Sequence, residues 1–203
     1  MRLTKIIFAA ILIMIYANNI TASGKAKIGE KAPEFSGTGS DGQYYSLEGY
    51  SGKFVVLEWN NFDCPFVKKH YESKNMQQLQ KKYTEKDVIW LTINSSAAGK
   101  QGHFPPYKIN KKIKEYDAKM TGYLLDDSGN IGKKYDAKTT PHMYIINPDG
   151  ILIYAGGIDD IASTDIADIK KATNYVSEAL DSALAGKEVK LKTSQPYGCS
   201  VKY

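Results

Sequence analysis

Apolar residues fall in short continuous runs, separated by polar stretches that carry glycine and proline. Residues 54–59 read Phe-Val-Val-Leu-Glu-Trp, and residues 88–93 read Val-Ile-Trp-Leu-Thr-Ile. Runs of this length and composition suit strands buried on both faces. Residues 143–146 and 151–154 form two further apolar runs around Asn147-Pro148-Asp149-Gly150, a hairpin signal. Residues 123–125 form a short strand candidate, and residues 44–47, after the Asp41-Gly42 turn, a short edge strand.

Three stretches take the helical period instead. Pro65 favours the first turn of a helix over residues 65–83, with Met76, Leu79 and Tyr83 on one face. Residues 110–119 predict a second helix, whose lysines form a solvated face. Residues 165–184 predict the third, with Ile166, Ile169, Val176, Leu180 and Leu184 in register and Gly186 as terminator. Residues 94–107 read as a loop, 27–36 as a polar lead-in, and 187–203 as an irregular polar tail. The order is strand, helix, strand, helix, hairpin, helix. It predicts an α/β fold with a mixed central sheet flanked by helices, its first two major strands parallel.

A chain of 203 residues suits one domain with additions. Arg2 and Lys5 precede an apolar run over residues 6–16, and small residues follow at 21–23. This is the layout of a signal peptide over residues 1–23, with an uncleaved anchor as the rival reading; the run is short of the roughly 20 residues of a membrane span. Residues 24–186 then form the domain and 187–203 a tail. The protein is expected to be exported, to the periplasm or the extracellular space, and to meet the membrane only through this first segment. The net charge of +5, two charges of which precede Gly24, is too small to point to nucleic acid. The two cysteines, Cys64 and Cys199, show no paired metal spacing, so neither a metal nor an organic cofactor is expected.

Several motifs resemble the thioredoxin-like superfamily. The run from Val55 to Cys64 resembles its strand leading into the active site, and Thr139-Thr140-Pro141-His142-Met143 its cis-proline loop. Ala32-Pro33-Glu34-Phe35 resembles the opening segment of the peroxiredoxin-like (alkyl hydroperoxide reductase/thiol-specific antioxidant, or redoxin) branch. Asn61 to Phe66, Asn94-Ser95-Ser96 and the ending Pro196 to Tyr203 are similar to a peroxiredoxin-like group within it. The resemblance implies a thioredoxin-like fold over residues 27–203, with Cys64 as the redox-active thiol.

A cysteine beginning a helix has its thiolate favoured by unpaired N–H groups and the helix dipole. Lys68, Lys69 and His70 would add positive potential and Asp63 would oppose it. Val67 stands where thioredoxins carry a second cysteine, which leaves Cys199 as the resolving partner implied by the resemblance. Glu58 falls where thioredoxins keep a buried carboxylate that moves protons; a solvated or lysine-paired carboxylate is the alternative. Asn61 either donates to the thiolate or shapes the turn. Thr140 and Pro141, with Pro65 and Phe66, are the expected substrate-binding residues, and Ser95, Ser96 and His103 border the crevice. His142 reads as a packed strand residue. The family's Thr and Pro before its cysteine are here Asn61 and Leu57, and the only arginine is Arg2. Lysine is no planar substitute for arginine, so weaker peroxide chemistry is expected than in a typical peroxiredoxin.

Three functions fit these residues. The first is a peroxiredoxin-like antioxidant that reduces peroxide through Cys64, with Cys199 or an external thiol reductant completing the cycle. The second is a thiol–disulfide oxidoreductase acting on protein disulfides. The third is a binding module with a permanent Cys64–Cys199 bridge.

Overall fold

The computed structural model describes residues 24–203; the expected signal segment lies outside the described residues. In chain order, β1 (Ser36–Thr38) and β2 (Tyr44–Ser46) form a small antiparallel ribbon. β3 (Val55–Trp59) leads into α1 (Pro65–Glu72) and α2 (Asn75–Thr84). Then follow β4 (Ile89–Asn94), α3 (Pro106–Tyr116), β5 (Gly122–Leu125) and α4 (Asn130–Tyr135). A two-residue strand β6 (Thr139–Thr140) precedes β7 (His142–Ile146) and β8 (Leu152–Gly156). α5 (Tyr175–Leu184) and a last strand β9 (Cys199–Ser200) complete the described elements.

The main sheet has the order β5-β4-β3-β7-β8. β3, β4 and β5 run parallel, while β7 lies antiparallel to β3 and β8 antiparallel to β7. The mixed sheet expected from the apolar runs is therefore the one observed. Side chains on a strand alternate between faces, and β3 divides the core accordingly. Val56 joins α1, α2 and α5 residues such as Val67, Met76 and Leu180 on one face. Val55, Leu57 and Trp59 pack on the other with Phe35, Ile131 and Tyr135. β3 and β4 are buried along their whole length, as continuous apolar runs require.

Several elements differ from expectation. The helix over 65–83 is two helices, because Lys74 adopts a left-handed φ of 66° between them. The helix over 165–184 is a 3-10 turn at Ile166–Lys170 followed by α5. Asn174 starts α5 by accepting the Ser177 amide (2.8 Å), an N-cap that fixes the break. α3 begins earlier than expected, at Pro106, since proline at the first helical position costs no hydrogen bond. The tail is not a free appendage. It runs back across the domain, and β9 pairs antiparallel with β6, with Thr140 opposite Cys199.

Candidate functional site

Cys64 stands where β3 gives way to α1. The turn between them is held by Asn61, whose Oδ1 accepts the Asp63 amide (2.9 Å) and whose carbonyl accepts the Cys64 amide (2.9 Å). Its Nδ2 donates to the Gln101 carbonyl (3.3 Å), so Asn61 shapes the turn and ties it to the loop after β4. Cys64 is the N-cap of α1 with extended backbone, and Pro65 follows as the first helical residue. The Cys64 side chain is completely buried, Pro65 is exposed, and Phe66 is half-buried.

The thiol faces the cis Thr140–Pro141 peptide. Cys64 Sγ donates to the Thr140 carbonyl at 3.0 Å, a contact that only the protonated form makes. Antiparallel pairing of Thr140 with Cys199 brings the second thiol to the same place, within hydrogen-bonding reach of the first. Both are unbonded thiols. Burial pushes the Cys64 pKa up. Hydrogen bonds from the Cys199 and Thr140 side chains and the Cys199 and Val67 amides outweigh it, and hold the pKa below the ordinary thiol value. Burial, the hydrogen bond to Cys64 and the Cys64 charge push Cys199 the other way, to about 11. The site thus separates two chemically identical groups into one that ionises first and one that keeps its proton.

Hydrogen bonding, not a lysine or histidine cation, accounts for the low Cys64 pKa. The expected positive potential from His70 is absent because burial, assisted by the Lys69 charge, lowers its pKa to about 3 and leaves it neutral near pH 7. The Lys69 ammonium is engaged elsewhere, donating to the Ile161 carbonyl (3.0 Å) and Ser163 Oγ (3.4 Å). Asp63 lies 3.9 Å from the Lys112 ammonium.

Glu58 is fully buried, on the α1/α2 side of the sheet. Its Oε1 accepts from Asn60 Nδ2 (3.1 Å) and the Tyr71 hydroxyl (2.8 Å). Its Oε2 accepts from Gln80 Nε2 (3.1 Å), Trp90 Nε1 (2.9 Å) and the Thr92 hydroxyl (3.1 Å). Burial raises its pKa, against the pull of these donors. The solvated or lysine-paired alternative is therefore excluded, and neither cysteine is among its hydrogen-bond partners.

Ser95 is buried, joining Trp59 Nε1 (3.0 Å) to Asp126 (2.6 Å), and Ser96 is buried beside it. His103 is part-exposed, 3.3 Å from Asp127. The same loop reaches the tail, where the Ala97 amide donates to the Lys202 carbonyl (2.8 Å). His142 is packed in β7 as expected; burial, aided by Lys138, lowers its pKa to about 4.

Sequence reasoning missed the polar cluster that holds the tail. The Tyr197 hydroxyl donates to Asp159 Oδ1 and lies 3.2 Å from His70 Nε2. His70 Nδ1 takes the Asn75 side chain at 2.9 Å, and the Tyr197 ring meets Phe66 edge-on at 5.8 Å. Burial keeps the Asp159 pKa up, against the Tyr197 bond and the Lys69 charge. The available signal was the pair of tyrosines flanking Cys199 in an otherwise polar stretch. Among the described residues, no group of three or more His, Cys, Asp or Glu is placed to hold a metal ion.

The AhpC/TSA family profile matches residues 28–155. The thioredoxin-like protein YneN of Bacillus subtilis is 29% identical over 61% of this chain and 68% of its own. A crystal structure of an uncharacterized conserved protein from Geobacillus kaustophilus is similar at 30% identity, with a TM-score of 0.73 over 87% of this chain and 92% of that one. The thioredoxin domain of a thiol-disulfide oxidoreductase from Bacteroides vulgatus shares the fold, with a TM-score of 0.52 and 18% identity over 72% of this chain and 97% of that one.

Proposed function

Because the chain belongs to the AhpC/TSA family of thioredoxin-like thiol redox proteins, we propose that it is an exported thiol peroxidase that works through Cys64 and is resolved by Cys199. One observation carries this reading: Cys199, far away in sequence, lies against Cys64 with the two pKa values pushed in opposite directions. The Cys64 thiolate attacks the terminal oxygen of a hydroperoxide. The O–O bond breaks, and Cys64 becomes a sulfenic acid while the peroxide leaves as alkoxide or hydroxide. The Cys199 thiol is the adjacent proton donor for that leaving group. The Cys199 thiolate so formed attacks the sulfenic sulfur, releasing hydroxide and closing the Cys64–Cys199 disulfide. An external dithiol then returns both cysteines to the reduced state.

The other site residues take supporting parts. Asn61 sets the turn that presents Cys64. Glu58 anchors β3 to α1, α2 and β4. Thr140, Pro141, Pro65 and Phe66 border the thiol and the approach to it. In this reading the mature chain begins near residue 24, residues 24–186 form the redoxin domain, and the tail supplies the second thiol.

A peroxide-consumption assay with a dithiol reductant tests the proposal. Cys64→Ser should abolish turnover. Cys199→Ser should still be oxidised once but accumulate sulfenic acid. Equal rates for the wild type and Cys64→Ser would overturn it.

A second reading, thiol–disulfide exchange with protein partners, is favoured by a different observation. The backbone of Thr140 already pairs with an extended, cysteine-bearing segment, namely β9.

A further inference from the structure

Thr140 and Phe66, two of the residues expected to receive a substrate, are contacted by the chain's own tail. Thr140 pairs with Cys199, Phe66 meets the Tyr197 ring, and Gly198 crosses directly over the Thr140 carbonyl. At Gly198 the backbone has φ +129°, and a Cβ built there would collide with the Thr140 carbonyl oxygen. Only glycine allows the tail to lie this close.

The tail is fastened on both sides of this crossing. Before it, Tyr197 is held by Asp159 and His70. After it, the Val201 amide donates to the Lys138 carbonyl (3.0 Å) and the Tyr203 hydroxyl to the Ala137 carbonyl (2.8 Å). An extended peptide recognised by a strand edge must make the same backbone hydrogen bonds that β9 makes here.

We propose that residues 197–203 determine substrate size: docked on β6, they restrict Cys64 to small oxidants, and extended cysteine-bearing segments of other proteins react only when the tail is released. The inference rests on the redox reading of Cys64. It assigns Tyr197 and Gly198 as specificity-determining residues that act through the position of the tail. Peptide reactivity then scales with the fraction of molecules whose tail is off.

The test uses the full chain carrying Cys199→Ser, alone and with Gly198→Val or the milder Tyr197→Phe. Two probes are compared, a symmetrical aryl disulfide and an unstructured peptide whose cysteine carries the same aryl thiol in a mixed disulfide. In both cases the Cys64 thiolate forms a new S–S bond and expels one coloured aryl thiolate, which is counted. Hydrogen exchange at the Val201 amide reports whether the tail has left.

Gly198→Val should expose that amide and raise the peptide rate about tenfold or more relative to the small-probe rate, with Tyr197→Phe in between. An unchanged ratio of peptide to small-probe rates with the amide exposed would overturn the inference while leaving the redox reading intact. A Val201 amide still protected in Gly198→Val would overturn it too, because the tail would then dock without glycine. No reaction of Cys64 with either probe in any variant would remove the redox reading, and the inference with it.

Discussion

Lowering the pH from 7.5 to 5 should destabilise this fold through two histidines that it keeps neutral. His70 has no solvent-exposed side-chain surface and is held between Asn75 and Tyr197, with Asp159 Oδ2 3.9 Å away. Burial and the Lys69 charge bring its pKa from 6.5 to about 3. His142 Nδ1 lies 3.3 Å from the Lys138 amide and 3.0 Å from the Tyr144 hydroxyl. Burial and Lys138, against Asp136, bring its pKa from 6.5 to about 4. Below pH 6.5 the unfolded chain therefore binds protons that the folded chain refuses, and stability falls as the pH drops toward the folded values. At pH 5 each histidine costs about 2 kcal/mol, and the two together about 4 kcal/mol. That is a large part of a typical domain stability of about 5–15 kcal/mol. Glu58 and Asp159 act in the opposite sense, since their raised values let the fold take up protons before the unfolded chain does. The histidine contribution is isolated by comparing urea unfolding of the wild type, His70→Gln and His142→Gln at both pH values. Each variant should lose about 2 kcal/mol less than the wild type between pH 7.5 and 5. Identical pH slopes for all three proteins, or an imidazole resonance of either residue titrating near its ordinary value, would refute the reasoning.

Removing the donor with Cys199→Ala should raise the pKa of Cys64, because the thiol hydrogen bond to the thiolate is lost and alanine offers none in its place; the alkylation rate against pH reads this as a midpoint moved upward. In Cys64→Ser the Cys199 midpoint should fall from about 11 toward the ordinary thiol range, since the charge beside it is gone. Glu58→Ala leaves Asn60 Nδ2 and Trp90 Nε1 unpaired, while Gln80 Nε2 keeps the Tyr71 hydroxyl, and at about 1–3 kcal/mol each the loss should reach roughly 2 kcal/mol or more. Glu58→Gln, which keeps one acceptor oxygen, should cost less; a Glu58→Ala loss below about 1 kcal/mol in urea unfolding would contradict the hydrogen-bond assignment.

The sheet was legible because β3 and β4 are buried on both faces, and no polar pattern competes with their apolar runs. The hairpin was legible because Asn147 to Gly150 carry their own turn chemistry, with the Gly150 amide donating to the Asn147 carbonyl at 2.8 Å. The α1–α2 break was not, since it rests on a left-handed lysine that no composition signal marks. Cys64 and Thr140 were found through motif resemblance, and the structure brings them together. Asn61 was ambiguous between thiolate donor and turn former, and its hydrogen bonds select the turn. The positive potential expected from His70 failed because residue type does not reveal burial, and burial removes the proton. The docking of the tail was illegible for a different reason. Much of it is made by backbone groups of Gly198, Cys199, Val201 and Lys202, which leave no periodic side-chain pattern to read.

The Glu58 cluster bears on the time course of folding. Its five donors lie 2, 13, 22, 32 and 34 positions away along the chain. Burial still raises the Glu58 pKa with these donors in place, and burying the carboxylate before they assemble is costlier still. The cluster is complete only when β3, β4 and the two helices between them have met, and it is expected to form late in folding. Interactions that form so late slow unfolding and leave the folding rate nearly unchanged. Glu58→Ala should therefore speed unfolding and leave the refolding rate nearly unchanged, so that Glu58 governs how long the native state lasts rather than how quickly it is reached.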